Sequence, residues 1–131
     1  MSITSVFIFN ESGMLLFHHD LSDKRTDPKL VSAFLSAIDQ WAKMYSSTGV
    51  SLFITGSMKF TFERSIYARD LIFCIAGTHD HNDAELHEKV QVVRENFVHV
   101  FWEDLKRLQA GISKEKLVHF KKMVVQVLKK E

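Results

Sequence analysis

The chain has 131 residues, room for one domain with a real core (residues 1–131) and not for a second. Its 17 basic and 16 acidic residues leave a formal charge of +1, so no global field draws it to nucleic acid or to an anionic surface. A single cysteine, no signal-like N-terminus and apolar runs far short of the roughly 20 residues a bilayer needs all point to a soluble cytoplasmic protein without internal disulfides.

Ile3 to Phe9 is β-branched and aromatic on both parities, which predicts a central strand covered on two sides. Asn10-Glu11-Ser12-Gly13 reads as a turn with Gly13 at positive φ, and Met14 to Phe17 as the return strand. A polar connection leads to a helix over 27–45. Asp27 caps it, Pro28 sits where a missing N–H costs nothing, and Leu30, Phe34, Ala37, Ile38, Trp41 and Tyr45 recur at helical spacing.

Gly49 closes that region. Residues 50–55 predict a third strand, 59–63 a fourth with half-exposed alternation, and 71–76 a fifth closed by Gly77. From Asp83 the period becomes helical, with Leu86, Val90, Val93, Phe97, Val100, Phe101, Leu105 and Leu108 on one face. Gly111 breaks this helix, and Ser113 caps a last one carrying Leu117, Phe120, Val124, Val127 and Leu128. All five glycines fall between predicted elements. The order β-β-α-β-β-β-α-α implies an α+β fold: a mostly antiparallel sheet with the first helix on one face and the long second helix on the other.

The residues offer little chemistry. His18, His19, His79, His81 and His87 could meet at one sheet edge and bind a metal, but their spacings fit no zinc pattern; solvated loop groups are the plainer reading, and no metal is expected. Cys74, inside an apolar strand, should be unreactive. With no nucleophile elbow and no glycine-rich phosphate loop, neither an enzyme nor a bound cofactor is expected. The last helix sets Lys114, Lys116, Lys121, Lys122, Lys129 and Lys130 opposite its apolar stripe. That is a solvated face or, more sharply, a weak contact with an acidic partner or a membrane surface. No aromatics interleave with these lysines, which argues against single-stranded nucleic acid.

The element order, together with Val6-Phe7-Ile8-Phe9-Asn10-x-Ser12-Gly13, Asp27-Pro28-x-Leu30-Val31-Ser32-x-Phe34-Leu35-Ser36-Ala37-Ile38 and Gly56-x-x-Lys59-Phe60-x-Phe62, resembles the longin domain family, in particular its short stand-alone archaeal members. The resemblance spans nearly the whole chain and rests on hydrophobic patterns and turns. Roadblock domains share the core but begin with a helix. It implies a longin-like (profilin-like) five-stranded antiparallel sheet with one helix on one side and two on the other. It also implies a non-enzymatic scaffold in membrane-trafficking-like machinery, binding a small GTPase, often as a pair with another longin or roadblock chain. A PAS-like small-ligand sensor is the alternative with a similar strand order.

Self-association is expected from the first helix itself. Its apolar positions fill an arc of roughly 200°, where a helix on one sheet needs about 100°. Leu30, Phe34, Ala37, Ile38 and Trp41 are expected to face the sheet, leaving Val31, Leu35 and Ala42 as an uncovered stripe beside Phe53 on an edge strand. These four are the expected interface of a homodimer. The expected core is Val6, Ile8, Leu16, Phe34, Ile38, Trp41, Leu52, Ile54, Phe73, Ile75, Val90, Val93 and Phe97.

Overall fold

The computed structural model describes residues 3–21, 27–65, 71–80, 82–106 and 114–129. Its elements are β1 (Ile3–Asn10), β2 (Leu15–Asp20), α1 (Pro28–Lys43), β3 (Leu52–Ile54), β4 (Met58–Arg64), β5 (Leu71–Thr78), α2 (Asp83–Lys106) and α3 (Lys114–Lys129). The strands form one sheet in the order β2-β1-β5-β4-β3, every pair antiparallel. This is the α+β, longin-like arrangement expected, with β3 at an edge.

The local signals act as their chemistry dictates. Asn10 Oδ1 accepts from the amides of Ser12 and Met14, and Gly13 takes φ +90°, closing the β1–β2 turn. Asp27 Oδ1 accepts from the amides of Lys29 and Leu30 at the start of α1, with Pro28 in the first turn. The expected break at Gly111 and cap at Ser113 lie outside the described residues.

β1 is covered on both sides because its two parities feed two cores. Val6 and Ile8 join Phe73, Ile75 and the apolar stripes of α2 and α3. At that core's centre the Phe97 ring meets Phe73, Phe101 and Phe120 at centroid distances of 5.4, 4.6 and 5.3 Å. Phe7 and Phe9 turn the other way and meet Phe62, Ile72, Cys74 and Leu35 beneath α1.

Several expectations are corrected. β2 continues to Asp20, so His18-His19-Asp20 are strand residues; the His18 ring lies 4.8 Å from that of Phe7, which holds the extension to the sheet. Gly77 lies inside β5, buried between Ile3 and Lys59, because the ladder continues to Thr78. The largest correction is the roll of α1. Leu35 is buried, only 1% exposed, while Phe34 is 56% and Trp41 62% exposed; Leu52 and Ile54 on β3 are exposed too, and Ile38 and Leu16 half-buried. Of the stripe expected to be uncovered, Leu35 and the half-buried Val31 pack on the sheet and Ala42 is half-buried, and Phe53 is half-buried at the edge. The remaining members of the expected core are buried as anticipated.

Candidate partner-binding face

Why α1 sits this way round follows from what lies under it. Its buried residues are Ser32, Leu35, Ser36 and Asp39, three of them polar. Ser32 Oγ donates to the Gly13 carbonyl at 3.1 Å, and Ser36 Oγ donates to the carbonyl of Glu11. Gln40 Nε2 adds a second donor to the Glu11 carbonyl at 2.8 Å, and Lys43 pairs with the Glu11 carboxylate. Farther along, Asp39 Oδ1 accepts the Val50 amide at 3.0 Å and pairs with Arg64. The sheet side thus presents carbonyls, an amide and a guanidinium that only a polar helix side can satisfy. Rolling Phe34 and Trp41 inward would strip these groups of their partners, at about 1–3 kcal/mol each.

The apolar stripe of α1 is therefore turned out. Leu30, Phe34, Trp41, Met44 and Tyr45 are all exposed, Tyr45 at 77%. Trp41 and Tyr45 meet edge to face at 5.2 Å, and Phe34 meets Phe53 of β3 at 6.3 Å, joining the stripe to the edge strand. Phe53 in turn leans on Phe60 at 6.2 Å. Apolar side chains on one helix face beside a strand with an open edge form a surface suited to binding another protein.

Between helix and edge strand, the corner 44–50 turns on Gly49, at φ +76°. A Cβ there would land on Arg64 Nη2 and Asp39 Oδ1, so the corner needs glycine for space as well as for conformation. Arg64 Nε donates to the Thr48 carbonyl at 2.8 Å, and Nη1 lies 3.5 Å from Glu11. Burial pushes the Arg64 guanidinium below its ordinary value, and the Glu11 carboxylate works in the opposite direction.

The other singled-out residues lie elsewhere. β2 and β5 finish at the same end of the sheet, but β1 runs between them and keeps them about 10 Å apart. His18 Nε2 meets Asp20 at 2.9 Å, and His87 lies 3.5 Å from Glu63 on β4. His79 follows β5 and His81 lies outside the described residues; among those described, no three metal-ligating side chains gather. Cys74 is fully buried, and burial pushes its thiol far up. On α3, Lys121 and Lys122 are exposed, Lys116 is half-buried and Phe120, Val124 and Leu128 are buried, as the stripe predicts. No helix among the described residues is long and apolar enough to cross a membrane.

Sequence reasoning expected an interface on this helix and edge strand but chose the wrong side of the helix, because hydrophobic periodicity ranks the sides of a helix without saying which one meets the sheet. The signal that could have found it is Ser32-x-x-x-Ser36-x-x-Asp39, three small polar groups on one helical side flanking Leu35.

Compared by sequence, the chain matches no protein-family model and no curated relative. Compared by structure, it shares its fold with several solved proteins. Myxococcus xanthus MglB superimposes with a TM-score of 0.59 at 8% identity, covering 77% of this chain and 85% of that one. A Roadblock/LC7 domain from Streptomyces avermitilis gives 0.55 at 16% identity over 75% of this chain and 88% of its own. An MglB with a tetrameric arrangement gives 0.54 at 10% identity over 71% and 76%. At these identities the likeness is one of fold, and the fold is that of the longin and roadblock group.

Proposed function

We propose that this chain is a non-enzymatic cytoplasmic scaffold that pairs with a second copy of itself through α1 and β3, and that the pair binds or regulates a small GTPase in trafficking-like machinery. The observation that carries this reading is the outward stripe of Leu30, Phe34, Trp41 and Tyr45 beside the open edge of β3. Exposed aromatics of this size are concentrated where proteins bury them against a partner. The partner class is supported by the longin resemblance and by the shared fold with MglB and Roadblock/LC7 proteins, one of them in a tetrameric arrangement. Phe53 meets the interface from behind Phe34, while Leu35 is committed to the sheet.

Sedimentation and light scattering at tens of micromolar test the pair. The wild-type chain is expected to run at twice its chain mass, and Trp41→Asp is expected to halve that mass while keeping its circular dichroism. A wild-type monomer would refute the homodimer and turn the stripe toward a different longin or roadblock chain or the GTPase itself. Capture from native extract tests the partner: a small GTPase is expected on the wild-type protein, and recovery of a metabolic enzyme or nucleic acid without any GTPase would refute it.

A further inference from the structure

We propose that Arg64, acting through Asp39, is a positioning residue for this face: it fixes the corner that delivers β3 to its edge beside α1, without itself meeting the partner. Its consequence rests on the paired reading above; its mechanism rests on the corner alone.

One guanidinium collects three segments. Nη2 holds Asp39 on the buried side of α1, Nε holds the Thr48 carbonyl in the corner, and Nη1 reaches Glu11 in the β1–β2 turn. Asp39, 1% exposed, accepts from the Val50 amide, the last link before Ser51, whose carbonyl takes the Phe62 amide at 3.0 Å and starts the β3–β4 pairing. Gly49 is wrapped so closely around this ion pair that it has no room for a side chain. Arg64 is itself anchored: Arg94 of α2 donates to its carbonyl at 3.1 Å and pairs with Glu63 at 2.9 Å.

The chain of contacts therefore runs from α2 through β4 to the corner, α1 and the edge strand. It sets the roll of α1 and the path into β3 together. A pairing surface made from both elements needs them in one relation, and this pair is the device that supplies it. A lysine at 64 would keep the charge but lose the fork that reaches three diverging acceptors.

The test uses an Asp39→Asn/Arg64→Gln double variant, which removes the ion pair and the three-way fork, glutamine being too short to span its acceptors, without stranding a buried charge. Amide hydrogen exchange at Val50 and Phe53 is read against amides of β1 and β5, alongside a sedimentation dilution series. Exchange at Val50 is expected to quicken about tenfold or more, pairing to weaken by about the same factor, and the β1 and β5 amides to keep their protection. Should the double variant fail to fold, Arg64→Lys and Gly49→Ala carry the same two readings. Wild-type exchange at Val50, or pairing within about twofold of wild type despite a released corner, overturns the proposal. A wild-type monomer whose Val50 amide is nonetheless released in the variants overturns the paired platform and leaves the positioning role standing.

Discussion

The two faces of the sheet are built on opposite plans. Under α2 and α3 lies a core of interlocking aromatic rings, with Phe97 meeting three other phenylalanines. Under α1 the helix contributes Leu35 and a set of polar contacts, and most of its apolar side chains point away. The first face is held by area removed from water, which is nondirectional and insensitive to small shifts. The second is held by directed contacts that fix orientation more than they add stability. A fold can thus keep an apolar helix side available by ringing the sheet beneath it with polar groups from turns and strand ends.

The sharpest way to break this comparison is to truncate both faces. Phe97→Ala should cost about 3–5 kcal/mol, read as a fall in the denaturant midpoint at unchanged slope. Leu35→Ala should cost about 2–5 kcal/mol, since Leu35 is fully buried in the cluster of Phe7, Phe9, Phe62, Ile72 and Cys74. Trp41→Ala, measured where the chain is monomeric, should move stability by less than about 0.5 kcal/mol. A large loss there would mean that the stripe is buried after all.

Polar pinning predicts its own, smaller effect. Ser36→Ala removes the hydroxyl donor to the Glu11 carbonyl and should cost about 1 kcal/mol, by thermal melting. The smallest expected effect belongs to neither face. A hydrogen bond from the Thr78 side chain, and secondarily one from its own backbone, hold the exposed Asp80 carboxyl below its ordinary value of 3.8. A lowered folded-state value means that this contribution is present above 3.8 and is lost as pH falls through the folded-state value. Thr78→Val should bring Asp80 back toward 3.8, as read by its side-chain carboxyl resonance during an NMR titration.

Much of the architecture was legible because each element carries its own punctuation: the Asn10–Gly13 turn, the Asp27-Pro28 cap and the doubly apolar β1 are local statements that the structure obeys. The roll of α1 was not legible, because it depends on what the sheet offers. The Glu11 and Gly13 carbonyls, 25 and 19 residues before the serines they accept from, and Arg64, 25 residues beyond Asp39, lie outside any helical window. Two apolar readings of one helix then compete, and periodicity favours the larger side chains. Gly77 misled for a related reason: a glycine reads as an ending, yet deep in a sheet its small size suits a strand buried between two neighbours.

The strand order also bears on how the chain is made. β1 is synthesised before every other strand of this sheet, yet its inner neighbour is β5; the Thr4 hydroxyl finds the Ala76 carbonyl 72 residues later in the sequence. At roughly 5–20 residues per second, a ribosome takes several seconds to supply that partner. A β1–β2 hairpin formed in that interval would lack the row of β5 partners and leave Val6, Phe7, Ile8 and Phe9 without the cover they have in the finished fold. A strand covered on both faces in the finished fold is thus also the one that waits longest, and the nascent chain is where its open edge is most exposed to mispairing.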